Sequence, residues 1–255
     1  MGLICGQRPD GVSGAASRFG APNSRTIMPQ PELVIFDCDG VLADSEIIAA
    51  RVEAELITLA GYEISPEELS ELYAGLTFKD IMLRIEEKAA IPFQASLIEQ
   101  AEEMIDHRLK AEVRAIDGAY EAAAGVTAPR CICSNSTPER LEITLEATRL
   151  QSLFAGRVFS ACGTPAMRPK PAPDVFRHAA ATLGADPGKT FVIEDSVHGI
   201  SGAKAAGMRV IGFTGASHSW PGHADALTEA GAETVIRRWA DFRGVIEALS
   251  EWSDA

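Results

Sequence analysis

The sequence LVIFDCDGVLADSE, residues 33–46, places four apolar residues directly before a group of acids. The run LVIF has the length and composition of a buried β-strand, and Gly40 permits a sharp turn soon after it. Side chains at positions i and i+2 of an extended chain point to the same side, so Asp37 and Asp39 leave this strand together. Because buried carboxylates are costly unless they are paired or bind a metal ion, the stretch is either a solvated turn or a functional site.

The two aspartates alone do not identify the chemistry. A calcium loop of the EF-hand type needs its glycine at the sixth position, whereas Gly40 stands at the fourth, so that interpretation fails. A DxD pair also occurs in sugar transferases that hold a nucleotide diphosphate through a metal ion. The rest of the chain has to decide between these alternatives.

Further short apolar runs follow along the chain, and helix-length segments separate the later ones. Runs that are apolar on both faces and alternate with helices predict a parallel sheet of β-α-β units. The predicted strands are LVIF (33–36), RCICS (130–134), VFSA (158–161), FVIE (191–194), VIGFT (210–214) and TVI (234–236), and the predicted helices include residues 138–149, 173–183 and 197–206. The sequence therefore predicts an α/β fold with a doubly wound parallel sheet, similar to a Rossmann fold.

From Ser45 to Ala115 the chain shows only helical periodicity. The first predicted helix face consists of Ile47, Ile48, Val52, Leu56 and Leu59. SPEEL (65–69) predicts a helix start with a capping box, and TFKD (77–80) predicts another start.

These patterns predict the domain organisation. We expect an α/β core of residues 31–44 and 116–255 and an inserted all-helical cap of residues 45–115. Such an insert would cover the carboxyl ends of the strands, where open α/β sheets bind ligands. Residues 1–30 are rich in Gly, Ser, Pro and Arg, and we expect a disordered tail there.

Composition disfavours several classes of function. The 255 residues include 23 Lys and Arg against 36 Asp and Glu, a formal net charge of −13, which disfavours nucleic acid and anionic membrane surfaces. No apolar stretch approaches the ~18 residues that span a bilayer. An odd count of five cysteines without a regular spacing indicates reduced thiols and a cytoplasmic protein, and Cys131 and Cys133 are expected to be buried strand thiols.

Polar residues also follow two other predicted strands. Ser134 and Asn135 end the second run, Glu194 and Asp195 end the fourth, and Lys170 lies between two prolines in RPKPAPDVF. Acids, a hydroxyl and an ammonium at neighbouring strand ends form a set suited to a phosphate group and Mg²⁺.

The ordered set DxDGVLxDSE, strand-S-N, K-P-x-P-D-x-F and strand-E-D-S-x-x-G-I-x-x-A-x-x-A-G-M resembles the haloacid dehalogenase superfamily. More narrowly, it is similar to the subgroup of small-metabolite phosphatases and β-phosphoglucomutase that carries a helical cap. The resemblance covers about residues 31–240. It implies a Mg²⁺-dependent phosphatase that works through an aspartyl-phosphate intermediate.

The resemblance also implies a role for each matching residue. Asp37 would attack phosphorus, and Asp39 would protonate the leaving oxygen and then activate water. The implied Mg²⁺ ligands are Asp37, Asp39 through its main-chain carbonyl, Glu194 and Asp195, and the implied phosphate-binding residues are Ser134, Asn135 and Lys170. Dehalogenating members of the superfamily lack an acid at the position of Asp39, because a halide needs no proton to leave. The presence of Asp39 therefore favours phosphoryl transfer over dehalogenation.

The sequence leaves alternatives open for the reaction and for the substrate. β-Phosphoglucomutase has a histidine where this chain has Ala49, which favours a phosphatase over a phosphomutase. The third alternative is a catalytically idle member that only binds a metabolite. TAPRCICSNS resembles 6-phosphogluconate phosphatase-like members, which implies a sugar phosphate or a phosphorylated sugar acid as substrate. In the motif GLTFKD (75–80), Lys79 is predicted to contact the substrate from the cap, and we expect a monomer or weak homodimer.

Several other polar residues are predicted to have structural roles. Asp44, Ser45 and Glu46 are expected to begin the cap, and Asp174 to orient Lys170 or cap a helix. His198, His218 and His223 are expected to take turn, surface or helix-start positions.

Overall fold

Parallel strands form the centre of the computed structural model, which describes residues 1–2, 30–73, 76–164 and 166–251. The strands are β1 (Leu33–Phe36), β2 (Arg130–Ser134), β3 (Val158–Ser160), β4 (Thr190–Glu194), β5 (Arg209–Phe213) and β6 (Thr234–Ile236). They form one parallel sheet in the order β3-β2-β1-β4-β5-β6. The predicted tail falls, from residue 3 to residue 29, outside the described residues.

All six predicted strands are confirmed. The differences are single residues at the ends: β3 stops at Ser160, β4 begins at Thr190, and β5 spans Arg209–Phe213. The helices that follow the insert are α5 (Ala119–Gly125), α6 (Pro138–Ala147), α7 (Asp174–Leu183), α8 (Val197–Ala205), α9 (His223–Glu229) and α10 (Trp239–Glu251), with single 3₁₀ turns at Gln151–Leu153 and Pro187–Lys189.

Helices cover both faces of the sheet, because alternate strand residues are apolar on both sides. On one face Val34 and Phe36 pack in a cluster with residues of α5, α6 and α10. On the other face Leu33 and Ile35 pack with residues of α7, α8 and α9. The doubly wound α/β fold is therefore confirmed.

Between β1 and β2 the described residues are helical. The helices are α1 (Glu46–Leu59), α2 (Pro66–Leu72), α3 (Phe78–Ala89) and α4 (Ser96–Glu112), and we call them together the helical insert. The capping box of Ser65 and Glu68 is confirmed, and Thr77 caps α3 by accepting a hydrogen bond from the Asp80 amide. Leu59, which the sequence placed on the apolar face of this helix, does not pack with that face: it is the last residue of α1 and is 78% exposed.

The two chain crossings between insert and sheet lie side by side. The Asp44 amide donates to the Arg114 carbonyl at 3.0 Å, and the Ile116 amide donates to the Leu42 carbonyl at 2.9 Å. The insert therefore leaves and re-enters the core through one paired connection at the carboxyl end of β1. The domain boundaries at residues 45 and 115 stay a prediction.

Two further predictions concern membrane-spanning helices and the cysteines. Among the described helices, none is long and apolar enough to cross a membrane. Cys131 and Cys133 are buried free thiols in β2, as predicted.

Candidate active site

The polar residues predicted from the sequence meet at one edge of the sheet. β1 lies between β2 and β4, and the chain reverses its direction of winding between β1 and β4. Asp37 directly follows β1, Ser134 is the last residue of β2, and Glu194 and Asp195 lie at the end of β4. Such a switch point opens a crevice at the carboxyl ends of the strands, where ligands bind in this class of sheet.

Lys170 reaches into this crevice from the loop before α7. Its Nζ lies 2.5 Å from Asp37 Oδ1 and 2.9 Å from Glu194 Oε2, and its side chain is 4% exposed. Burial lowers the pKa of Lys170, but the charges and hydrogen bonds of Asp37 and Glu194 outweigh burial and raise the pKa above its ordinary value. The ammonium therefore stays protonated.

The carboxylates outnumber this ammonium. Oxygens of Asp37, Glu194 and Asp195, all buried, lie within 4.8 Å of one another. Burial and the charge of Glu194 raise the pKa of Asp37 well above its usual range, and burial raises the pKa of Glu194, although Lys170 opposes both shifts. Three clustered carboxylates beside one ammonium leave excess negative charge, which a bound cation would neutralise.

Hydroxyl groups fix the orientation of Asp39. Ser45 Oγ donates to Asp39 Oδ1 at 2.7 Å. Ser136 Oγ donates to Asp39 Oδ2 at 2.7 Å, and Ser134 Oγ donates to the same oxygen at 3.2 Å. Asp39 is therefore held from two directions, by Ser45 before α1 and by the serines at and after the end of β2.

Asn135 and Lys79 lie in different surroundings. The Asn135 side chain accepts from the Lys170 amide at 2.8 Å and donates to the Lys170 carbonyl at 3.3 Å, so it clamps the main chain that carries the ammonium. Lys79 lies in the first turn of α3 with an exposed side chain. Within the described residues, no hydrogen bond or ion pair joins Lys79 to the other predicted site residues.

Two histidines that the sequence interpretation placed in turns or at the surface contact Asp195 instead. His218 Nε2 lies 3.1 Å from Asp195 Oδ2, and His223 Nε2 lies 2.7 Å from the Asp195 carbonyl oxygen. His218 does lie in a turn, as predicted, but neither side chain is at the surface: His218 is 12% exposed, and His223 is buried at the start of α9. Each follows β5 in SHSWPGH, and because β5 neighbours β4 the loop after it returns to the end of β4. That neighbour relation belongs to the sheet order, so no local signal in the sequence identified these histidines.

Three other minor predictions have mixed outcomes. Ser45 binds Asp39, as described above, and Asp44 accepts hydrogen bonds from the main chain and side chain of Ser217. Asp174 begins α7 and pairs with the Arg168 side chain at 2.9 Å rather than with Lys170. It therefore braces the segment that leads to Lys170 without touching it.

Gly40 packs tightly against this group. Its φ is +73°, and a Cβ at this position would lie 1.9 Å from Asp195 Oδ2 and 2.8 Å from His218 Cε1. Only a glycine leaves room for the Asp195 carboxylate beside the turn after Asp39.

The donor set fits a magnesium ion. Mg²⁺ prefers oxygen ligands and takes a few carboxylates, completing its coordination with water and substrate oxygens. Asp37, Glu194 and Asp195 offer carboxylate oxygens close enough to share one ion.

Comparison with known proteins agrees with this geometry. The family model described as haloacid dehalogenase-like hydrolase matches residues 34–213, which include both aspartates of the first motif and the acidic pair after β4. The chain belongs to the haloacid dehalogenase-like hydrolases.

Relatives in this family cover most of the chain. The 6-phosphogluconate phosphatase of Escherichia coli strain K12 is 29% identical over 197 residues, which are 76% of this chain and 87% of that protein. A haloacid dehalogenase-like protein of Agrobacterium tumefaciens C58 has a crystal structure with a TM-score of 0.84 and 55% identity, covering 86% of this chain and 99% of that one. A family hydrolase of Deinococcus radiodurans R1, solved with bound phosphate and sodium, has a TM-score of 0.75 and 29% identity, covering 88% and 97%.

Proposed function

We propose that the protein is a Mg²⁺-dependent phosphatase of small phosphorylated metabolites, working through an aspartyl-phosphate on Asp37. The observation that carries the proposal is the buried group at the switch point, where a nucleophilic carboxylate, an ammonium and two further acids meet. The 6-phosphogluconate phosphatase relative supports a sugar phosphate or a phosphorylated sugar acid as substrate. The helical insert would act as the cap that closes over it, with Lys79 as a contact.

The first step transfers the phosphoryl group to the protein. A carboxylate oxygen of Asp37 attacks phosphorus, a new oxygen–phosphorus bond forms, and the bond to the ester oxygen breaks. Asp39 gives its proton to that leaving oxygen, which departs as an alcohol. Lys170 and the Ser134 hydroxyl offset the charge on the transferring phosphoryl oxygens.

The second step releases phosphate. Asp39, now a carboxylate, takes a proton from a water molecule as that water attacks the phosphorus of the aspartyl-phosphate. The bond between Asp37 and phosphorus breaks, which restores both aspartates. Asp37, Glu194, Asp195 and the Asp39 carbonyl would hold Mg²⁺, and the ion supplies charge neutralisation that lets an anionic substrate approach the acids.

The covalent step is tested at Asp37. We expect Asp37→Asn to lower phosphate release by roughly 10,000-fold, because an amide is a far poorer nucleophile than a carboxylate. Its thermal unfolding, followed by circular dichroism, should remain cooperative. The matched control is Asp241→Asn, which changes a surface aspartate of α10 that pairs with Arg238. Turnover by Asp37→Asn at the wild-type rate would exclude the covalent mechanism.

The substrate class is tested with a panel of phosphate monoesters. Sugar phosphates and phosphorylated sugar acids should be hydrolysed faster than simple alkyl phosphates, and EDTA should abolish the activity. Phosphate release at background level on every compound would refute the proposed function. Addition of a sugar bisphosphate distinguishes a phosphomutase, because only a mutase would depend on it; Ala49 in place of a histidine favours the phosphatase.

A further inference from the structure

The loop between β5 and α9 holds the acid at the end of β4 at two points. His218 Nε2 lies 3.1 Å from Asp195 Oδ2, within ion-pair distance, and the His218 side chain is 12% exposed. His223, the first residue of α9, donates through Nε2 to the Asp195 carbonyl over 2.7 Å. The carboxylate and the main chain of one predicted metal ligand are therefore both fixed by imidazoles.

The second imidazole is itself fixed in place. Its ring stacks on Trp220 with centroids 3.8 Å apart and an angle of 16° between planes. Because a carbonyl can only accept, Nε2 carries the hydrogen, and burial lowers the pKa of His223 and keeps the ring neutral. Nδ1 then accepts from the Ser219 hydroxyl at 3.2 Å.

The first imidazole is confined by the opposite wall of the site. The backbone of Gly40 lies so close to Asp195 and His218 that a Cβ on residue 40 would overlap both side chains. His218 Nδ1 is buried and, within the described part of the chain, has no hydrogen-bond partner. The ion-pair contact with Asp195 is thus the polar contact that orients this ring.

The same loop is anchored to the connection of the helical insert. The Ser217 amide donates to Asp44 Oδ1 at 2.9 Å, and the Ser217 hydroxyl donates to the other oxygen of that carboxylate. Asp44 is in turn the residue whose amide pairs with Arg114 on the returning strand of the connection. The residue beside His218 is therefore held to a fixed part of the core edge, so the imidazole has a rigid support.

We propose that His218 is a positioning residue that fixes the Asp195 carboxylate in the orientation required for Mg²⁺ binding. The inference rests on the proposed function, because it assumes that Asp195 is a ligand of the metal. Carboxylate ligands are commonly hydrogen-bonded by neighbours that orient them, and loss of such a neighbour costs roughly 10- to 100-fold in metal affinity. An unsupported Asp195 would rotate among several orientations and would also lose the donor that offsets its charge.

The test measures Mg²⁺ binding directly. Isothermal titration calorimetry of the full chain, stripped of metal with EDTA, should give a dissociation constant for Mg²⁺ that rises roughly 10- to 100-fold in His218→Ala. His218→Gln keeps an N–H donor at similar reach and should recover most of the affinity. The matched control is His107→Ala, which removes an exposed histidine of α4 and should bind Mg²⁺ like the wild type.

Kinetics separates positioning from a general loss of structure. In His218→Ala the Mg²⁺ concentration for half-maximal activity should rise by the same factor, while kcat at saturating Mg²⁺ stays within a few-fold of wild type. Equal Mg²⁺ affinity in wild type and His218→Ala, or no recovery in His218→Gln while circular dichroism shows a folded protein, would overturn the inference. A wild-type protein that binds no Mg²⁺ would overturn the proposed metal dependence together with it.

Discussion

At the scale of single residues, Gly40 combines two constraints. Its φ of +73° lies in the left-handed region, and the space where a side chain would begin is taken by Asp195 and His218. Backbone strain of this kind costs a non-glycine residue about 1–3 kcal/mol, and the steric overlap with Asp195 is additional.

Gly40→Ala should therefore impair the site as well as lower the stability of the fold. We expect it to lose Mg²⁺ affinity and turnover, because the new methyl group displaces the Asp195 carboxylate. Gly156→Ala is the matched control: Gly156 has nearly the same φ, +71°, but nothing lies within 4 Å of the added atom. Urea unfolding should show strain in both variants, and calorimetry with Mg²⁺ should show a defect only in Gly40→Ala. Normal Mg²⁺ binding by Gly40→Ala would contradict this account.

Some residues of the site could be predicted from the sequence, and others could not. The spacing of Asp37 and Asp39 predicted a shared side, since positions i and i+2 of a strand end point the same way, and the later motifs predicted their chemistry. Their predicted companions Glu194 and Lys170 do meet Asp37, although 133 positions separate Lys170 from that aspartate. His218 was missed because nothing local distinguishes a loop histidine that contacts a carboxylate from one in water; only the pairing of β4 with β5 brings it there.

At the scale of elements, α1 carries a half-buried acid that should make stability depend on pH. Burial first, and then the charges of Glu46 on the same helix and Glu102 on α4, raise the pKa of Glu53 to about 8, while Arg140 on α6 opposes the shift. The ordinary value is 4.5. The folded state therefore holds a proton that the unfolded state releases, so the contribution to stability is complete below about pH 4.5 and is lost as pH rises through about 8.

Glu53→Gln tests this linkage. The free energy of unfolding in urea should fall less between pH 5.5 and pH 8.5 in the variant than in the wild type, because the amide has no proton to lose. Glu87→Gln, an exposed substitution on α3, is the control and should keep the wild-type slope. If Glu53→Gln and the wild type lose stability in parallel, Glu53 is not the titrating group.

Elements differed in how well local signals predicted them. The starts of α2 and α3 were predictable because the Ser65 capping box and the Thr77 cap are short-range hydrogen bonds. α5 and α9 have seven residues each, too short for a helical period to stand out, and they are held by packing on the sheet. The exposed Leu59 shows the converse: its spacing fitted the apolar face of the helix, but its side chain is 78% exposed.

At the scale of the whole molecule, one guanidinium joins the helical insert to the core. Arg140 on α6 donates to Asp106 of α4 at 2.7 Å and also pairs with Glu102, and its side chain is 17% exposed. These ion pairs join α4 to α6, beside the apolar contacts of Ile143 and Ala147 with the insert. We infer that they set the resting position of the insert.

Arg140→Gln should change substrate binding more than stability. Partly exposed ion pairs contribute up to about 1 kcal/mol, so the free energy of unfolding should fall by no more than that. KM for a sugar phosphate should rise several-fold with kcat little changed, because the insert spends less time near the crevice. Arg243→Gln, which breaks an exposed pair with Glu247 on α10, should alter neither constant. An unchanged KM in Arg140→Gln would show that the ion pairs do not govern closure.

The sheet order could be predicted only in part. Alternating strands and helices indicate a parallel sheet, and the long helical stretch indicates an insert after β1, but the side-by-side pairing of Asp44 with Arg114 depends on contacts 70 residues apart. No periodicity in the sequence encodes that hydrogen bond.

The central position of β1 in the sheet has a consequence for folding during synthesis. Val34 pairs with Arg130 on one side and with Phe191 on the other, so β1, the first strand of the described residues, is synthesised before both of its neighbours. The helices of the insert, which rely on nearer contacts, emerge in the interval and can form before the sheet does. During synthesis one edge of the apolar LVIF segment can pair once residues 130–132 have emerged, whereas its other edge stays unpaired until residues 190–193 are available.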